Sequence, residues 1–333
     1  QLQGGDAPDI VFANPGSGSS RSVLSLAEAG FLQPLTGTGA EDLVSESDER
    51  FFWADDELWA QPTVVVPTGI VFNRGAMEAD GVEWPATFDG VLQTCEDVAD
   101  AGKSMFVMAG GVPDGNNDVA VVLAAYQVYG DEPDWNDRRA AGEVDFASSD
   151  SWNEVLDTYM RMRDARCFQD GVEGAGFDTI TNRLSQGESY AAFIPAGAAG
   201  DLMDANPGST FDVDVLPSPV DDSRLLLASA DGGFAITTSA DRERAQMFLD
   251  YVAQPDVLAE FALTQNGLPI GGEGDVLPQY EPVADLIEAG RVTDNRTQEW
   301  TNEVYLALST GIQGMFTGQA TKDAVLAEMD TLW

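Results

Sequence analysis

Three observations in this sequence predict an α/β fold in two lobes. β-rich and helical patterns alternate along the chain and give way to a helix-rich end, as in α/β layer architectures. A chain of 333 residues is long for one core, so two lobes are the default. The third is the stretch Gln61 to Asn73, where two β-rich runs, Thr63 to Val66 and Gly69 to Phe72, join without a turn-sized gap but are interrupted by Pro67. Proline cannot donate a ladder hydrogen bond and belongs at an edge or a crossing, so this stretch reads as a strand leaving one sheet for another.

The elements follow in order. Asp9 to Phe12 is a short buried strand, followed by the loop Asn14-Pro15-Gly16-Ser17-Gly18-Ser19-Ser20. A helix starts near Ser22, with Gly30 where a left-handed C-terminal residue belongs. Phe51-Phe52-Trp53 and Leu58-Trp59 flank Ala54-Asp55-Asp56-Glu57, a hairpin signal. After the crossing come a short helix from Asn73, an amphipathic helix over 86–101, a strand over 104–108 and a Gly-rich loop over 110–118. Helices are expected near 118–128, 151–166 and 177–186. Tyr190 to Ile194 is a strand running into the small-residue turn Pro195 to Gly200, which opens another helix. Strands over 211–216, 225–228 and 234–236 follow, the last two separated by the punctuation Asp231-Gly232-Gly233. Helices near 240–253, 256–265, 279–289, 302–316 and 320–331 finish the chain.

Composition excludes several functions. With 57 acidic against 16 basic residues the net charge is -41, which repels nucleic acid and anionic lipid. Lys103 and Lys322 are the only lysines, a bias that suits either a salt-tolerant acidic surface or a GC-rich genome. No apolar run approaches the roughly 18 residues of a membrane span. There is no histidine, which removes the usual general base and zinc ligand. Cys95 and Cys167 allow one disulfide or two buried thiols and fit no metal spacing.

Several segments resemble the family 1 extracellular solute-binding proteins of ABC importers, the maltodextrin-binding-like group. Gly4 to Ile10 is similar to the family's Gly-x-x-Pro-Asp-Val segment, and Leu26-Ala27-Glu28-Ala29-Gly30-Phe31-Leu32-Gln33-Pro34-Leu35 to its Leu-Ala-Glu-x-Gly-Leu-Leu-x-Pro-Leu run. Pro67 to Asn73 resembles its crossing strand, Pro85 to Asp89 its Pro-x-Thr-Trp-Asp, Leu184 to Ala191 its Gly-x-Ala-Ala-Met segment, and Thr317 to Thr321 its C-terminal motif. The likeness runs nearly end to end. It implies a periplasmic-binding-protein-like (Venus flytrap) fold with hinge crossings and a ligand held between lobes. Lobe one is expected at 1–72 plus 230–291 and lobe two at 73–229 plus 292–333. A signal sequence, first strand and first helix are expected ahead of Gln1. Two family aromatics are replaced, by Pro195-Ala196-Gly197 and by Ala13, which suggests a small or non-sugar ligand.

The expected site draws on both lobes. Asn14 and Ser17 lie on the Gly/Ser loop, which lacks the Lys of a P-loop and is either a plain turn or a ligand-facing cradle. Pro67, Thr68, Asp231 and Gly232 lie on the crossings, where small residues permit unusual dihedrals. Asn116, Asn117, Ala196, Trp300 and Tyr305 approach from lobe two. Trp300 and Tyr305 stand about 140° apart on one helix, so they share a face only if Asn302 caps the helix and leaves Trp300 outside. Either aromatic could instead be core. Asp231 accepts ligand hydroxyls or merely supports a Gly-Gly turn. Asp114, Asn116 and Asp118 mimic the start of a calcium loop, but Val119 and Ala125 stand where that loop needs Gly and Glu, so no metal is expected.

The expected function is capture of a small polar solute, a sugar or oligosaccharide first, by a monomeric extracytoplasmic protein, either a cell-surface lipoprotein or periplasmic, that serves an ABC permease without a cofactor. A secreted carboxylate-dependent glycosidase is the rival enzyme reading, and a non-transport sensor on the same fold is a third. No Gly-x-Ser-x-Gly elbow or Cys-His pair supports an enzyme. In this reading Asp231→Asn and Trp300→Ala each weaken binding about tenfold without changing the melting temperature.

Overall fold

A computed structural model of the chain describes residues 7–112, 115–270 and 276–333. The chain is a mixed α/β protein that divides into two compact units. Unit one comprises Gln1–Pro67, Ala228–Leu277 and Thr297–Asn302, and unit two Thr68–Leu227, Pro278–Arg296 and Glu303–Trp333.

In unit one the strand Ile10–Ala13 pairs antiparallel with 233–236, Ile10 opposite Ile236 and Ala13 opposite Gly233. Leu268 and Pro269 pair with Val65 and Val64. The helix Val23–Glu28 turns Val23 and Leu26 inward, and these pack with Phe51, Phe52, Leu58 and Ile236 as the core. Gly30 takes a φ of +73° just past that helix, as its position required. Phe51 and Phe52 are helical (Glu49–Phe52), so the hairpin shrinks to Trp53–Ala54 and Glu57–Leu58. Asp55 and Asp56 both have positive φ, which matches the right-handed twist of such a two-residue turn. Phe12 is not buried as expected. At 45% exposed it stands on the outer face of its strand, edge-on to Phe234.

In unit two Thr68 to Phe72 pair antiparallel with Ala191 to Pro195, and Ile70 to Asn73 with Phe211 to Asp214. Ser104–Phe106 runs parallel to Ser189–Pro195. The helices Asn117–Gln127, Asp150–Asp164 and Lys322–Leu332 pack together beside an aromatic core in which Trp135, Phe146, Trp152 and Trp333 meet edge to face, and Phe88–Asp100 packs on Asp150–Asp164. Cys95 and Cys167 are bonded to each other within this unit.

Both crossings differ from their local signals. Gln61–Asn73 is one unbroken strand. Pro67 is tolerated because it falls between the residues paired with 268–269 and those paired with 191–195, where its missing N–H interrupts neither ladder. Leu226–Thr237 is likewise a single strand, without a turn at Asp231-Gly232-Gly233. The glycines do not adopt left-handed dihedrals. They are needed for close approach, since a Cβ at Gly232 would lie 2.5 Å from the Ala13 carbonyl and one at Gly233 2.7 Å from that of Gln61. The helix expected at 279–289 is a 3-10 segment, Pro278–Val283, followed by Ala284–Glu288, because Pro282 cannot supply the N–H an α-helix would use there.

Most of the cations are held in ion pairs, such as Arg50–Glu299 (3.0 Å) in unit one and Arg224–Asp214 (2.7 Å) in unit two. A net charge of -41 therefore stays unneutralised and repels itself in the compact state. At about 1 M salt the Debye length falls to about 3 Å, so the melting temperature should rise between low and molar NaCl. A scanning-calorimetry series that is flat or falling would refute this.

Candidate functional site

On unit one the Gly/Ser loop is fixed from two sides. Gly16 donates its N–H to Phe51 O (3.0 Å), Ser17 donates to Gln298 O (3.4 Å), and the Ser17 hydroxyl donates to Glu299 O (3.2 Å). Gly16 is in the left-handed region, and a Cβ there would meet the Gln298 carbonyl at 2.3 Å. With the amides of Asn14 and Ser19 bonded to Arg21 O and the Ser22 hydroxyl, little of the loop's backbone is free to cradle an anion. It offers side chains instead, and Asn14 and Ser17 are exposed.

Asp231 is the one exposed residue of its twelve-residue strand. Surrounding protein still desolvates its carboxylate enough to raise its pKa above the usual carboxylate value. Gly232 beside it is buried against Phe12 and Ala13. The chain leaves unit two between Leu227 and Ala228, so Asp231 and Gly232 stand within unit one's part of this strand. Pro67, also in unit one, is buried. Trp300 belongs to unit one rather than to the lobe of the C-terminal helices. Asn302 is the first residue of the helix Asn302–Thr317 rather than its cap, so Trp300 lies outside that helix. At 1% exposed, its indole presents no face for stacking.

Sequence reasoning missed Gln298 and Glu299. Gln298 accepts from the Ser229 hydroxyl (3.3 Å) and Glu299 pairs with Arg50 (3.0 Å), so this segment braces the loop and the base of the Asp231 strand together. Their only local signal was polar residues ahead of a helix, which marks any exposed turn.

On unit two, Thr68 is half-buried opposite Pro195, and Ala196 is buried. Asn116 is 3% exposed with both amide atoms bonded, since Nδ2 donates to Ser309 O (3.1 Å) and Oδ1 accepts from the Ser309 hydroxyl (3.0 Å). Its carbonyl accepts from the Tyr159 hydroxyl (2.7 Å). Asn117 is also buried and donates to Tyr305 O (2.9 Å), and among the described residues its Oδ1 has no protein partner. The two asparagines therefore lock a helix start onto the helix Asn302–Thr317, whose Tyr305 is partly exposed. Asp114, from the calcium-like sequence, lies outside the described residues.

A cavity of about 500 Å³ elsewhere in unit two includes none of these residues. Its cations are Lys103, Arg163, Arg166 and Arg183, and each is paired, with Asp80, Asp164 (2.6 Å), Asp100 (2.8 Å) and Glu188 (3.1 Å) respectively. An incoming anion would have to displace a carboxylate, so we do not place the site there.

The family model described as bacterial extracellular solute-binding protein matches residues 1–259. The fold is similar to that of a chitin oligosaccharide binding protein, at a TM-score of 0.80 and 16% identity, covering 99% of this chain and 84% of that one. It is also similar to RafE, a solute-binding protein solved in complex with raffinose, at a TM-score of 0.78 and 19% identity, covering 99% and 86%. A binding protein of Brucella abortus is 21% identical over 318 residues, 93% of this chain and 76% of that protein.

Proposed function

From the premise that the chain belongs to the bacterial extracellular solute-binding protein family, we propose that it captures a sugar or oligosaccharide and delivers it to an ABC permease. As a family member it is an extracytoplasmic binding protein and not an enzyme. The two compact units serve as the lobes, and the monomer acts by closing them on the solute. The observation that carries the reading is the family match over residues 1–259. A sugar is favoured because the structural relatives named above took raffinose and a chitin oligosaccharide, and because exposed Asn14, Ser17 and Asp231 offer the amide, hydroxyl and carboxylate that sugar hydroxyls require. Thr68 and Tyr305 are the accessible polar groups proposed for unit two. Buried Pro67, Gly232, Ala196, Asn116 and Asn117 shape the backbone that carries the others.

A thermal-shift screen against sugars, polyols and amino acids tests the reading, and stabilisation only by amino acids, or by nothing in the panel, would reject the sugar. With a ligand found, Asp231→Asn should weaken binding about tenfold or more, since charge-assisted bonds to hydroxyls are worth about 1.5–3 kcal/mol. The raised pKa of Asp231 gives this a sign. Above that pKa the ionised carboxylate accepts the ligand's hydroxyls, and affinity should fall as pH drops through it. Calorimetric titrations of the Asn variant should lose this acid-side dependence. Equal affinity for parent and variant at every pH would remove Asp231 from the site.

A further inference from the structure

We infer that Tyr126 is a positioning residue for lobe closure, its hydroxyl pinning the unit-two end of the Leu226–Thr237 strand so that movement is confined to the residues beyond the pin. The inference rests on the binding reading above.

Tyr126 lies in the last turn of the helix Asn117–Gln127. Its hydroxyl donates to Leu216 O (2.8 Å) and accepts from the Leu225 N–H (3.0 Å). Leu216 lies just past the strand Phe211–Asp214, and Leu225 immediately precedes Leu226–Thr237, so one hydroxyl ties both ends of the intervening loop to one helix. From another side Leu226 donates to Arg291 O (3.0 Å), and Leu226 and Leu227 pair with Val292 and Thr293. The chain enters unit one at Ala228. The residues just before this crossing are therefore fixed by Tyr126 and by 291–293, and the chain passes into unit one directly after them. The other long strand has the same arrangement, with Thr68 paired to Pro195 directly after the boundary at Pro67. Hinges work by concentrating dihedral change in a few such residues.

Two further observations favour this role over generic packing. Burial pushes the Tyr126 phenol up to about 12, so its proton is available throughout the working pH range. The space beside it, lined by Gly69, Val122, Leu216 and Leu227, is only about 10 Å³, at the lower limit for one water, so solvent would replace the hydroxyl poorly. The same helix starts at Asn117, bonded to the backbone of Tyr305, and thus joins a proposed ligand residue to the crossing.

The test uses ligand-free protein with nitroxides on Ser47→Cys in unit one and Glu154→Cys in unit two, so it does not depend on knowing the solute. Pulsed dipolar spectroscopy on Tyr126→Phe should give a distance distribution at least about 1.5-fold wider than the parent. Tyr159→Phe, which removes a buried hydroxyl bond to Asn116 O, is the control for purely structural loss and should lower the melting temperature without broadening. An unchanged width in Tyr126→Phe, or equal broadening in both variants, overturns the inference. Should Tyr126→Phe not fold, hydrogen exchange of the parent decides. The Leu225 amide should exchange at least about tenfold more slowly than an open loop amide, and exchange at the loop rate refutes the pin. A failed ligand screen with a broadened distribution would count against the solute and not against the hinge.

Discussion

Replacing Trp300 with alanine should lower the unfolding free energy of the ligand-free protein by about 3–5 kcal/mol, the range for emptying a buried tryptophan site. The indole is 1% exposed and among the largest fully buried side chains of the chain. An aromatic of this size buries about 150–250 Å², roughly 4–6 kcal/mol of transfer free energy at 25 cal/mol per Å². The surrounding backbone has little slack to collapse into the hole. Trp300 N–H donates to Thr297 O (3.1 Å), and its own carbonyl lies 3.2 Å from where a Cβ on Gly18 would stand. Its loss should therefore also loosen the Gly/Ser loop. Chemical denaturation of parent and variant without any sugar measures the effect. A stacking residue would behave oppositely, costing affinity and leaving stability intact, and that result would return Trp300 to the ligand.

The contrast shows which features are local in this sequence. Helix starts were legible because their caps are short-range. Thr87, Ser149 and Thr321 each accept from the helix N–H three residues on, and Gly187 closes the helix Phe177–Gln186 at a φ of +63°. Strand continuity was not legible. Pro67 and Gly232-Gly233 carry turn signals, but pairing with strands far away in sequence overrides them. Burial of polar residues was hidden for a similar reason. Asn116 looks ready for a ligand until its partner Ser309, 193 residues away, is in place. The exposure of Asp231 was legible because a carboxylate on a strand must find either solvent or a cation, and its side chain reaches solvent.

Removing the Cys95–Cys167 bond should cost unit two about 4 kcal/mol by the loop-entropy relation, for a sequence separation of 72. Little of that loss would be packing. Cys95 shares the inner face of Phe88–Asp100 with Val91 and Val98, and Cys167 follows Asp150–Asp164, so alanine at both sites removes only two small sulfurs from an otherwise filled core. The cost falls on the unfolded chain, which gains the freedom the link had denied it. Both sulfurs belong to fully buried residues, so a reductant should reach them only after unfolding. Dithiothreitol alone should thus leave the folded protein unlabelled by an alkylating agent, whereas dithiothreitol with denaturant should expose two thiols by mass spectrometry. The double alanine variant should unfold at a lower denaturant concentration in the transition that reports unit two, with the unit-one transition in place. Two labelled thiols in unreduced protein, or a variant as stable as the parent, would mean that unit two owes its stability to its aromatic core without help from the crosslink.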